Sequence, residues 1–137
     1  MTPAINYQST LERLGFDSEL FHEMAAVFQN DASCRLAQLE RAVSEGNVPA
    51  VALESHALRG IAAAFDARRA VEAAAYIESQ ALISKELPER LEMQEMRSAI
   101  EEVAAALKLY LAQPAPPRYR VDSIRAQPTR GIETNVS

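Results

Sequence analysis

The stretch Pro49-Ala50-Val51-Ala52-Leu53-Glu54-Ser55-His56-Ala57-Leu58-Arg59-Gly60-Ile61-Ala62-Ala63-Ala64-Phe65 decides how this chain folds. Wound as an α-helix at about 100° per residue, it gathers Val51, Leu58, Ile61, Ala62 and Phe65 within roughly 60° of one direction, the apolar stripe of a helix packed on a core. His56 stands on the opposite side and faces outward. Around it lie Ala52, Leu53, Arg59, Gly60, Ala63 and Ala64, a shallow patch of small residues with one cation. A solvated helix face normally carries Lys, Glu and Gln, whereas an exposed apolar patch ringed by polar residues marks a partner site. One misfit is Glu54, which falls on the inward arc near Leu58 and calls for a cation that the sequence does not identify.

The flanking segments read the same way, and no alternating strand pattern occurs. A short helix is expected over Ser9 to Leu14, ended by Gly15, with Asp17 as N-cap of the next. From Ser18 to about Ser44 the apolar positions fit one long helix with a drifting inner face, or two helices with a kink near Asp31. Gly46-Asn47 stops it, and Pro49 suits the first turn of the His56 helix. Asp66 is read as the N-cap of a fourth segment running through Val71, Ala74, Ala75, Ile77 and Leu82. Pro88 opens the last, where Met93, Met96, Ile100, Val103, Leu107 and Tyr110 recur at spacings of three and four, a bundle seam. The fold class is therefore all-α: an antiparallel up-down four-helix bundle with a short extra N-terminal helix. Its domain spans 1–112.

Composition narrows the function. With 137 residues, 48% of them apolar, the chain holds one domain with a modest core. No apolar run approaches a transmembrane span and no secretory signal opens the chain, so a cytoplasmic location is expected. Net charge is −5. Residues 113–137 carry a net +2 in a proline-containing stretch that is expected to be disordered, and the remaining −7 on the body excludes nucleic acid as a partner. Cys34 permits no internal disulfide and reads as a small, partly buried helix residue. Met24, Met93 and Met96 read as core, and Glu95, Glu101 and Glu102 as a solvated face. No spacing supports a metal site. His22 has no small-residue patch about it and is given no role.

The chemistry centres on His56. A neutral imidazole is a competent nucleophile through its free ring nitrogen near pH 7. Arg59, at i+3, is near enough to pair with a phosphoryl oxygen and offset its charge. Gly60, at i+4, leaves room for the ring or for a partner's backbone, at about 1 kcal/mol of helix propensity relative to Ala. No carboxylate sits at i±3 or i±4, so the residue is a poor hydrolase base and an adequate phosphate carrier whose partner supplies catalysis.

His56-Ala57-Leu58-Arg59-Gly60-Ile61-Ala62-Ala63-Ala64-Phe65-Asp66-Ala67 closely resembles the motif of the histidine-containing phosphotransfer (HPt) family: His-x-Leu-Lys-Gly, small residues, a bulky apolar residue and Gly-Ala. The likeness extends upstream through Leu11-Glu12-Arg13-Leu14-Gly15 and Leu20-Phe21, and downstream to Tyr76-Ile77-Glu78, so that it covers roughly Leu11 to Leu111. It implies His56 as phosphorylation site, Arg59 as the cation that stabilises phosphoryl charge, and Gly60 as steric clearance. Ala52, Leu53, Ala63 and Ala64 would meet the partner. Three departures stand out: Ile61-Ala62 replace the usual Ser pair, Arg59 replaces Lys, and Asp66 replaces Gly. A planar fork and a point charge hold phosphate differently, so the second bears on partner preference or phosphoryl lifetime.

The resemblance implies a phosphorelay intermediate, a monomer without ATP-dependent kinase activity. It would take a phosphoryl group from a receiver-domain aspartyl phosphate, as in a hybrid sensor histidine kinase, and pass it to another response regulator. The chain would bind no cofactor, the Mg²⁺ coming from the receiver. No glycine-rich nucleotide loop is present. The alternatives are a phosphorylation-independent adaptor that binds receiver domains or partner helices through the same patch, and an enzyme using His56 as base.

Overall fold

Helix boundaries in this chain are set mainly by short polar side chains that take up orphan amides. The computed structural model describes residues 3–113, which contain five α-helices and no strand. The expected disordered tail lies, beyond Gln113, outside the described residues. Helix α1, Tyr7–Arg13, starts two residues earlier than its pattern predicts because the Asn6 carboxamide accepts from the Ser9 amide at 3.0 Å. Gly15 and Phe16 then both take positive φ, and Asp17 caps α2 by accepting from the Leu20 amide at 3.0 Å. Helix α2 runs uninterrupted from Ser18 to Ser44, as the first of the two sequence readings has it. Gly46 turns the chain at φ 69°, Asn47 caps α3, and Pro49 sits in the first turn, where its missing N–H leaves nothing unpaired.

After α3, Val48–Ala63, the structure departs from expectation at Asp66. This residue is not the N-cap of α4, Arg68–Ser79; that position is Ala67, which offers no capping side chain. Asp66 instead adopts a left-handed conformation, φ 50°, which Asp tolerates better than most residues and where the resembled motif has Gly. Its carboxylate turns to α1, accepting from the Ser9 hydroxyl and pairing with Arg13 at 3.2 Å. The change is structural, through a tie to the first helix rather than a cap. Helix α4 widens into a π-helical turn, Gln80–Ser84, closed by Lys85 at φ 57°. The wider turn shifts the phase, so Leu82, expected inside, is exposed and Ala81 takes the buried place. Helix α5, Arg90–Leu111, begins two residues after the buried Pro88 with a Glu89/Glu92 capping box.

The four long helices close a ring, α2 against α3 and α5, α4 against α3 and α5. Their antiparallel sense shows in the pairings along α2: Gln29 donates to the Ala104 carbonyl at 2.8 Å, and Glu40, further on, meets Arg97, further back in α5. Phe21, Phe28, Leu39, Val51, Leu58, Phe65, Ile77, Met96 and Leu107 fill the centre; Met24 and Met93 pack at its edge. Cys34 is exposed, contrary to expectation, because α2 turns Ala32 and Leu36 to the core at that level. Glu95, Glu101 and Glu102 are exposed as expected, but each is ion-paired: Arg69 holds Glu95 and Glu102 at 2.6 Å, and Arg97 holds Glu101 at 3.3 Å. The Arg69 hydrogen bond pulls the Glu95 carboxyl below its ordinary value. Its contribution is therefore present above the ordinary carboxylate range and fades as pH falls through the lowered value, a small effect at this exposure.

An aromatic cluster closes the end where α1 docks. Tyr7 meets Phe21 edge-on at 4.9 Å, and Tyr110 packs on Phe21 at 4.8 Å and on His22 at 5.7 Å between centroids. The Tyr110 hydroxyl is buried without a hydrogen bond of good geometry; burial first, and the nearby Tyr7 hydroxyl second, push its ionisation up. Tyr110→Phe removes an unsatisfied buried group and keeps the ring, so urea denaturation should show unchanged or higher stability, by up to about 1 kcal/mol. A loss of more than that would mean the hydroxyl is paired.

Candidate functional site

His56 sits in the middle of α3 with its side chain 62% exposed, as its helical phase requires. Ser55 and Leu58 are fully buried on either side in sequence, and Val51, Ala62 and Phe65 line the core. The ring is not alone on the surface. Its Nδ1 lies 2.7 Å from Oε2 of Glu78, which reaches over from α4, and 3.0 Å from Nη2 of Arg59. Arg59 Nε in turn pairs with the other Glu78 oxygen at 3.0 Å. The Glu78 carboxylate is 13% exposed and bridges both.

The two contacts of Nδ1 compete for its proton. A carboxylate oxygen at 2.7 Å from a ring nitrogen favours a proton between them, since two lone pairs at that distance repel, whereas the Arg59 guanidinium at 3.0 Å can only donate and would need the Nδ1 lone pair. The shorter contact favours Nδ1 as donor to Glu78, and in that tautomer Nε2 keeps its lone pair in the neutral ring. The arrangement presents an oriented nitrogen nucleophile with an anion behind it, able to balance positive charge that develops on the ring. The premise that no acid orients His56 holds only for its own helix. The carboxylate comes from the next one.

The remaining predicted residues divide. Leu53 is 64% exposed, Gly60 and Ala63 are exposed and Ala64 is half-buried, so these four share the surface around the ring. Ala52 does not; it is buried at 8% exposure. It lies on the Arg59 side of α3, the side that faces α4, and the neighbouring helix covers it. A Cβ placed on Gly60 would meet nothing within 4 Å, so its bareness serves neither the ring nor this chain's packing. Gly60→Ala should accordingly raise the thermal midpoint, by the few degrees that about 1 kcal/mol gives a domain of this size, while slowing any reaction that brings a partner backbone there. The Glu54 misfit resolves as an ion pair with Arg35 of α2 at 3.2 Å, which tolerates a carboxylate only 13% exposed.

Between α2 and the C-terminal end of α3 runs an apolar groove lined by Leu20, Met24, Val27, Phe28, Ile61 and Ala64. Among the described residues no group of three or more His, Cys, Asp or Glu is placed to hold a metal, and no helix is long and apolar enough to cross a membrane.

Comparison with curated proteins and with solved structures gave no match. The family model of the Hpt domain matches residues 23–112, more than half of the sequence and all of α3, α4 and α5. Hpt domains interact with receiver domains and carry phosphoryl groups on histidine in phosphorelays. The matched span, the closed helical ring and the histidine presented on its third helix lead to one conclusion: this chain belongs to the Hpt domain family and is a phosphocarrier rather than a kinase.

Proposed function

We propose that His56 Nε2 accepts a phosphoryl group from the aspartyl phosphate of a receiver domain, the phosphorylated state of a hybrid sensor histidine kinase, and passes it to a second response regulator. The observation that supports this reading is the Glu78 carboxylate 2.7 Å from Nδ1 of an exposed ring, which favours the tautomer whose outer nitrogen is unprotonated. In the forward step the Nε2 lone pair forms the N–P bond as the acyl P–O bond breaks, and the receiver's aspartate leaves as a carboxylate. The imidazole gains positive charge, which Glu78 balances while it retains the Nδ1 proton. Arg59, held beside the ring by its Nε, supplies a cation for the phosphoryl oxygens. The receiver contributes the aspartate and Mg²⁺, and the open face around Leu53, Gly60, Ala63 and Ala64 lets it approach in line. A monomer in the cytoplasm suffices for this role.

Mixing the chain with a receiver domain charged by a small phosphodonor should transfer label to it as an acid-labile, base-stable phosphate, the signature of phosphohistidine. Label that is stable to acid, or none from any receiver of the source cell, would sink the proposal.

A further inference from the structure

We infer that residues 118–125, which lie beyond the described residues, dock along the furrow between α4 and α5, so that this face of the protein is covered by its own chain. The inference is independent of the phosphoryl chemistry. On α4, Tyr76 and Arg69 stand about 160° and 180° round from Glu78, so the furrow they line opens on the side of the helix turned away from His56. It runs from Arg69 and Glu72 past Tyr76 to the turn after α4, where Lys85, Glu86 and Leu87 line its far end. The two stretches join at Tyr76 and Glu92, which line both. Its apolar strip is open: Leu91 is 74% exposed, and Tyr76 and Leu87 are exposed beside it. A contiguous apolar strip rimmed by polar residues marks a surface that something covers.

Charge and reach together name the occupant. Five carboxylates line the furrow, Glu72, Glu86, Glu89, Glu92 and Glu95, against two cations, Arg69 and Lys85, a net −3. The stretch Arg118-Tyr119-Arg120-Val121-Asp122-Ser123-Ile124-Arg125 carries a net +2, with Tyr119 and Val121 alternating with Arg118 and Arg120. An extended chain puts alternate residues on opposite sides, so this stretch offers apolar contacts along one edge and cations along the other. Glu95 lies sixteen residues before Leu111, about 24 Å along α5, and an extended chain covers about 3.3 Å per residue. Folded back from Gln113, the chain brings Arg120 level with Glu95, and Arg125 past the start of α5, where Glu86 stands. Pro114, Pro116 and Pro117 favour that extended course and lower the entropy lost in ordering it. A tethered segment also docks at an effective concentration on the order of millimolar, so modest contacts suffice. The α2–α5 groove, also within reach, has a net charge of only −1, with Glu40 and Glu101 already paired to Arg97.

The test reads proximity in the full chain. A nitroxide is attached at position 123 of a Cys34→Ser, Ser123→Cys chain, and paramagnetic broadening of its backbone amide signals is measured by NMR. The amides of Ala73, Tyr76 and Leu91 should lose most of their intensity. Arg118→Glu, Arg120→Glu and Arg125→Glu together should return that intensity, and adding Glu72→Arg with Glu86→Arg should bring part of the broadening back. Salt at about 1 M should weaken it, as screening requires of an exposed charge contact. Leu91→Ser, at a side chain too exposed to carry the fold, should weaken it as well. No broadening of those amides, or broadening that survives reversal of the three arginines, overturns the inference. Broadening centred on Gln29 and Ala104 instead places the segment in the α2–α5 groove and overturns it too. So does broadening of an isotope-labelled chain by a separate nitroxide-bearing chain mixed with it, since a second copy then fills the furrow.

Discussion

His56→Gln should carry no phosphoryl group from any donor, receiver or phosphoramidate, and should fold as the wild type does. The glutamine amide nitrogen has its lone pair delocalised into the carbonyl and cannot displace a carboxylate from phosphorus, so transfer is lost rather than slowed. Stability should stay within about 0.5 kcal/mol, because the side chain is 62% exposed and Glu78 keeps Arg59 as a partner at 3.0 Å. The pair of measurements, label retained on the chain and midpoint of thermal unfolding, separates loss of the acceptor from loss of the fold. Label that persists on a folded variant assigns the phosphate to another residue.

Glu78→Leu should slow phosphoryl transfer about 10- to 100-fold, the lower part of what removing an orienting or proton-holding group costs an acid–base site. Without the carboxylate, Nδ1 loses its acceptor and the ring can place its proton on Nε2, which removes the nucleophile for part of the time. The positive charge of the attacked ring also goes unbalanced. Glu78→Gln keeps a carbonyl that accepts from Nδ1–H but no charge, so it should recover part of the rate. Imidazole nitrogen NMR gives a readout that a merely structural role would not move: Nε2 unprotonated in the wild type, with the Nε2–H tautomer growing in Glu78→Leu. Arg59→Ala should slow transfer without shifting that tautomer, since Arg59 acts on the phosphoryl oxygens. A Glu78→Leu variant with wild-type rate and tautomer would remove Glu78 from the site.

The helices were legible because their signals are local. The periodicities of α3 and α5, the cap at Asp17, the Gly46 stop and Pro49 in a first turn all depend on neighbours within a few residues. The outward phase of His56 has the same origin. The Asp66 assignment failed for a related reason: an Asp before a helix satisfies the cap pattern, but its side chain had a better partner in Arg13, distant in sequence on α1. Leu82 failed because a π-turn changes the angular step that every phase argument assumes.

Glu78 lies on the border between the two kinds of information. With α3 ending at Ala63 and α4 beginning at Arg68, an antiparallel pair brings His56 level with Ala75, and Glu72 and Glu78 are the carboxylates within a turn of it. The choice of Glu78 depends on which side of α4 faces α3, and that is set by the ring of four helices. By itself the sequence determined that the protein is a helical bundle and that His56 stands outside it with Arg59 and Gly60 one turn on. Only the tertiary structure decided that a carboxylate orients the ring, that Ala52 is covered and that Gly60 is open. Those facts depend on which sides of α3 its neighbours occupy, and periodicity within one helix carries no information about the packing of another.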